Sequence, residues 1–222
     1  MDRPRFNANQ IFAVITGDIV ASSRQSPEDR RKLAGILKQA SKEIAHKYPN
    51  SVPQSIDVFR GDSWQLVLTN PTISLTAAVL FRASVIAASP STVRIDTRLA
   101  IGVGPIDYWP PSRVSEGNGE AYKASGSALD SLESSAQMKF ATAEPVEQNP
   151  LLDATVRLLD AIIQEWTVSQ ALAIKGRLLG LTQQMIARRW PKPITQQTIA
   201  RHLARAHWPA VANALQIIEN SP

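Results

Sequence analysis

A change of periodicity along the chain limits its fold more than any other feature. From residue 11 to residue 142, apolar residues switch repeatedly between strand and helix spacing, and beyond residue 150 only helical spacing remains. Ile11-Phe12-Ala13-Val14-Ile15 is a continuous apolar run ending in Thr16-Gly17-Asp18, which predicts a buried central strand. Ser26, Pro27, Glu28 and Asp29 form a helix start, and Leu33, Ile36, Leu37, Ala40 and Ile44 follow at helical spacing. Residues 55–68 predict a hairpin, with apolar runs at 56–59 and 64–68 around a Gly61-Asp62 turn. A second helix is predicted over 72–88, carrying Leu75, Ala78, Val79, Arg82 and Ile86 in register. A strand through Val93, Ile95, Leu99, Ile101 and Val103 comes next. After it come a helix with a small-residue face (Ala121, Ala124, Ser125, Ala128) and a strand at 138–142.

Strand-helix-strand-strand-helix-strand is the ferredoxin-like order, here extended by one helix and one strand, and it predicts an α/β (α+β) domain over residues 1–146. Residues 144–150, polar with a proline at each end, read as a linker. Residues 151–222 predict a small all-α module. It opens on the stripe Leu151, Leu152, Thr155, Val156, Leu159, Ile162, Ile163 and Trp166 and continues into a short repeat. In that repeat Thr182-Gln-Gln-Met-Ile-Ala-Arg-Arg-Trp190 is echoed by Thr195-Gln-Gln-Thr-Ile-Ala-Arg-His-Leu203, each a threonine-capped helix with one apolar face.

Charge is divided along the same line. Residues 1–150 carry 16 basic and 15 acidic side chains, whereas residues 151–222 carry eight and four. Seven basic residues and no acid lie between Trp166 and Ile218, a surface suited to a polyanion. The chain has no cysteine, which excludes disulfides and thiolate chemistry and fits a reducing, cytoplasmic setting. With three histidines (His46, His202, His207), any metal is expected on carboxylates, which favours Mg²⁺, Mn²⁺ or Ca²⁺. The polar start, with Arg3 and Arg5, is not that of a signal peptide, and no apolar run approaches the ~20 residues of a membrane helix.

Three short motifs stand in order: Gly17-Asp18-Ile19-Val20-Ala21-Ser22-Ser23, Arg60-Gly61-Asp62-Ser63-Trp64-Gln65, and Arg98-Leu99-Ala100-Ile101-Gly102-Val103-Gly104. Over residues 10–142 this resembles the class III nucleotidyl cyclase layout. It resembles more closely the SatD family, which pairs a Gly-Asp-Ile start with a Gly-Asp hairpin and whose likeness extends into the C-terminal helices. The resemblance implies that Asp18 and Asp62 hold Mg²⁺ or Mn²⁺ against a nucleotide, a donor set that suits a hard cation keeping its other ligands as water and phosphate. Gly61 belongs to that site, as do the backbone amides of Gly17, Ile19 and Val20. The plainer reading makes each Asp a turn or cap residue. The catalytic half of the cyclase pattern is absent. Tyr122 and Gly126 stand where an Asn and an Arg are expected, Val58 replaces the purine-reading lysine, and only Lys123 is near to supply charge. Cyclisation is therefore not expected.

Thr195 to Leu203, followed by Ala210-Val-Ala-Asn-Ala-Leu215, resembles a helix-turn-helix. In one assignment the helix from Trp208 reads DNA with His207, Asn213 and Gln216. In the other, Thr182 to Arg189 supports a reading helix from Thr195 to Arg205, placing Gln196, Gln197, Arg201 and Arg205 outward. Arg188 and Arg189 add phosphate contacts in either case. Trp166, Trp190 and Trp208 read as core, and the rival reading of the whole module is a bundle for docking or dimerisation. The sequence thus predicts a DNA-binding regulator, homodimeric as cyclase-like folds often are, with a degenerate metal- and nucleotide-binding domain. The rivals are a nucleotide-handling enzyme and a non-catalytic interaction protein.

Overall fold

The computed structural model describes residues 10–20, 27–59, 62–90, 93–108 and 113–221. In chain order the elements are β1 (Ile11–Ile19), α1 (Pro27–Lys47), β2 (Asp57–Phe59), β3 (Ser63–Leu68), α2 (Ser74–Ala87), β4 (Thr97–Pro105), α3 (Glu120–Asp130) and β5 (Met138–Thr142). The helices α4 (Pro150–Gln164), α5 (Val168–Leu178), α6 (Gln183–Arg188), α7 (Gln196–Arg205) and α8 (Trp208–Glu219) follow. The fold is mixed α/β, with one five-stranded sheet in the order β2-β3-β1-β4-β5. β1 runs antiparallel to β3 and β4, β2 antiparallel to β3, and β5 parallel to β4.

Alternation along β1 sorts its side chains between the two faces of the sheet. Ala13, Ile15 and Ile19 join a large cluster with Leu33 and Leu37 of α1 and much of α2, while Phe12 and Val14 join a smaller one with Ala121 and Tyr122 of α3. α3 comes close because β4 offers Gly102, where a Cβ would collide with the Ala121 carbonyl and the Ser125 amide.

Two boundaries differ from expectation. β1 does not stop at Ile15 but continues through Gly17 and Asp18 to Ile19, because β3 pairs with it as far as Gly17 and β4 as far as Ile19. β4 starts at Thr97 rather than near Val93, which is 63% exposed; Asp96 turns its carboxylate to the Thr97 amide and to two arginines, ending the extended run there.

α2 is buried from Ser74 to Ile86 on every side. The sheet and α1 cover part of it, and α5, α4 and α8 cover the rest. Val156, Leu159, Ile163, Ile174, Val211 and Leu215 accordingly belong to the same hydrophobic cluster as Leu75, Val79 and Ile86. Polar tethers reinforce the join. Arg82 of α2, fully buried, donates to Asp96 at 2.9 and 3.2 Å, to Asp160 of α4 at 2.5 Å and to Gln137 at 2.8 Å. Lys175 of α5 reaches Glu43 of α1 at 3.1 Å. Glu219, at the end of α8, accepts from Tyr48 and from Thr76. Among the described residues, no helix is long and apolar enough to cross a membrane.

Candidate functional site

The Gly17-Asp18 motif is shaped first by a tryptophan. Gly17 pairs with Trp64, and a Cβ on Gly17 would lie 2.5 Å from both the indole ring and the Arg98 carbonyl. Trp64 is fully buried against Phe81, with ring centroids 4.1 Å apart, and its Nε1 donates to Thr97 Oγ1 at 2.9 Å. Thr97 in turn donates to the Asp18 carbonyl at 2.6 Å. The glycine makes room for the ring. The Val20 amide donates to the Asp96 carbonyl at 3.0 Å, and Gly17 and Ile19 stand in the strand ladder, so the stretch whose amides are expected at a phosphate continues β1.

Asp18 sits opposite Arg98 on β4 and accepts from its Nε at 3.0 Å and its Nη2 at 2.5 Å. That fork holds the Arg98 guanidinium above its ordinary pKa, the Asp18 hydrogen bonds being the largest cause. Asp62, half-buried, begins the return into β3, and the Gly17–Trp64 register puts it at the same end of the sheet as Asp18. Gly61 lies outside the described residues. Both oxygens of Asp18 already serve Arg98, so a Mg²⁺ or Mn²⁺ ion on Asp18 would compete with that guanidinium for the same two oxygens.

Lys123 points to solvent and donates to Glu120 at 2.6 Å, a contact that raises its pKa. Tyr122 is buried, which pushes its phenol up, and it donates to the Val114 carbonyl at 3.0 Å. A side chain at Gly126 would meet open space. Val58 packs against the large core. Sequence reasoning missed a second acid–arginine pair on the Asp18 face of the sheet. Asp57 accepts from Ser115 Oγ in a very short contact and from Arg113 Nε at 3.2 Å. Burial pushes the Asp57 carboxyl up, but the Ser115 and Arg113 hydrogen bonds and the Arg113 charge outweigh it and leave it lowered. Strand alternation from Asp18 through Thr16 and its partner Gln65 to Asp57 was the available signal.

At the other site, both copies of the repeat fold alike. Thr182 accepts from the Met185 amide and Thr195 from the Thr198 amide, so each threonine caps its helix as expected. Ile186 of α6 fits over Gly176 of α5, where a Cβ would lie 2.6 Å from it, and Ile199 and Leu203 of α7 are buried. The opposite side of α7 presents Gln197, Arg201 and Arg205, Gln196 is exposed at the first turn, and Arg188, Arg189 and Lys192 are exposed at the end of α6 and in the turn after it. The Trp190 ring stacks on His202 at 5.6 Å and 10°. Trp166 is buried and donates to the Ala206 carbonyl, so it packs, as expected of it.

Two of the seven basic residues are not free for a polyanion. Lys175 is held by Glu43 across the join to α1, and Arg177 donates to the Leu181 carbonyl with its guanidinium over the Trp208 ring. Seven less these two leaves the five exposed cations of α6, α7 and the turn between them. α8 turns Val211 and Leu215 into the body of the protein; its Asn213 and Gln216 are exposed. His207, also exposed, makes the turn into α8 in the left-handed region (φ 56°), the conformation a glycine would otherwise supply.

No family model matches the chain, and no curated protein matches it.

Proposed function

We propose that the protein is a SatD-like bacterial regulator that binds DNA through the outer face of α6 and α7. The observation that carries this reading is the gathering of Arg188, Arg189, Lys192, Arg201 and Arg205 on exposed positions of a segment that contains no acid from residue 166 to 218. α7 is the better reading helix of the two considered, since it offers Gln196, Gln197, Arg201 and Arg205 outward, whereas α8 offers no Lys or Arg. Support for the ferredoxin-like, cyclase-type reading comes from the strand order β2-β3-β1-β4 with every neighbouring pair antiparallel. Under the same resemblance a nucleotide with Mg²⁺ or Mn²⁺ would reach Asp18 and Asp62 only by displacing Arg98. A cytoplasmic setting accords with the absence of cysteine.

The test is a DNA titration across ionic strength. Three to five phosphate contacts would give a slope of log affinity against log salt of roughly −3 to −4.5. Arg201→Ala and Arg205→Ala should each flatten that slope by about one unit on every sequence, and Gln197→Ala should alter sequence preference. Salt-independent binding, or affinity untouched by both arginine changes, would overturn the proposal.

A further inference from the structure

α4 carries two faces. Val156, Leu159, Asp160 and Ile163 turn inward, yet Leu151 is 75% exposed and Leu158 68%. Together with exposed Ala154 and Ala161 they form an apolar stripe at helical spacing along the outside of the helix. Arg157 and Asp153 flank the stripe on one side, bridged to each other at 3.0 Å.

We propose that this face is where two copies of the chain meet, as an antiparallel helix pair about a two-fold axis beside Ala154 and Thr155. The arrangement of the residues is what selects a second copy over an unrelated partner. A two-fold contact must be complementary to itself, each residue i meeting j while j meets i. Leu151 and Leu158 stand symmetrically on either side of the Ala154–Thr155 position, so each leucine meets the other leucine across the axis. Asp153 and Arg157 stand symmetrically about Thr155 and share one flank. In an antiparallel pair that flank faces its own copy, which brings each carboxylate to the opposite guanidinium. The small side chain of Ala154 lies at the crossing, where the helix axes come closest. Apolar stripe and charges thus agree on one axis, without reference to DNA. If the chain also binds DNA, such a dimer would present two copies of α7 to a two-fold site.

The absence of cysteine makes the test direct. In the full-length chain, an Ala154→Cys variant should form a disulfide-linked dimer under mild oxidation, and an Ala204→Cys variant, on exposed α7, should not. Sedimentation equilibrium should show a dimer for the unaltered chain and a monomer for Leu158→Glu, with the circular dichroism of the monomer unchanged because Leu158 is exposed within one copy. Asp153→Arg should weaken the dimer at least several-fold, and the Asp153→Arg/Arg157→Asp double variant should restore it. Any one of three results overturns the proposal: a monomeric unaltered chain, a dimer that survives Leu158→Glu, or equal cross-linking of the two cysteine variants.

Discussion

Replacing Asp160 with asparagine tests whether the C-terminal helices are joined to the sheet domain by a buried charge. Asp160 and Arg82 are 4% and 0% exposed at the side chain and 2.5 Å apart. The other Asp160 oxygen accepts from the Gln137 amide at 2.8 Å. Arg82 and Arg94 now share Asp96 and Asp160, two cations against two anions. The amide of Asp160→Asn would keep the shape and an acceptor but leave one buried cation under-compensated, and breaking a buried pair from one side costs about 3–5 kcal/mol. For a chain of this size, each kcal/mol moves the melting temperature by roughly 2–4 °C, so a fall of roughly 6–20 °C is expected. Urea and thermal unfolding of Asp160→Asn beside the unaltered chain would measure it. The double variant Arg82→Met/Asp160→Leu should lie closer to the unaltered chain than Arg82→Met alone, since Asp96 retains Arg94 at 3.0 Å. A loss below ~1 kcal/mol for Asp160→Asn is the behaviour of a solvated surface pair and would refute the burial argument.

Gly17→Ala should destabilise by about 1–3 kcal/mol in urea titrations, because its Cβ has no room beside Trp64 and the Arg98 carbonyl; a neutral result would remove the packing explanation of the Gly-Asp motif. Burial first, then the charges of Arg205 and Arg201, lower the His202 pKa below its ordinary 6.5. The unfolded chain therefore takes up the proton more readily. The His202 contribution is complete above 6.5 and is lost as the pH falls through the folded pKa below it. Urea midpoints taken on either side of 6.5 should show this loss, and His202→Gln should shrink it. Nucleotide with Mg²⁺ should shift the melting of Arg98→Ala more than that of the unaltered chain if Asp18 is a latent ligand; equal shifts, or none, would leave Asp18 a purely structural residue.

Local signals carried much of the fold. Period-two alternation through Leu99, Ile101 and Val103 located β4, turn residues located the β2–β3 hairpin, and Thr182 and Thr195 announced the caps of α6 and α7. The end of β1 was not legible, because Gly17 and Asp18 are turn-forming residues and only the flanking strands and the Trp64 ring keep them extended. Arg82 was visible as a charge on an apolar helix face. Its partner Asp160 lies 78 positions away, and Glu43 lies 132 positions from Lys175. Pairings over such separations are made by the fold, and no periodicity reports them. The same holds for Asp18, whose partner is 80 positions distant on a neighbouring strand. The family resemblance implies a metal ligand there, and the register also sets Arg98 against it.

The packing of α2 decides how DNA binding has to be assigned. Deleting residues 151–222 is the obvious way to ask whether the C-terminal helices bind DNA, and from sequence it looked like a clean cut. In the folded protein that cut would uncover the side of α2 that α4, α5 and α8 bury, and it would strip Asp160 from a fully buried Arg82. Loss of binding would then report misfolding as readily as a missing interface. Single charges separate the two. Lys175→Ala and Arg201→Ala each remove one positive charge from the same acid-free segment, so a response to net charge alone would be equal for both. Only Arg201 stands on the exposed face of α7, while Lys175 is occupied by Glu43. If α6 and α7 are the interface, Arg201→Ala flattens the salt slope by about one unit and Lys175→Ala leaves it unchanged. Equal weakening by the two substitutions would mean that DNA is drawn to the overall charge of the protein, and α7 would lose its claim to be the reading helix.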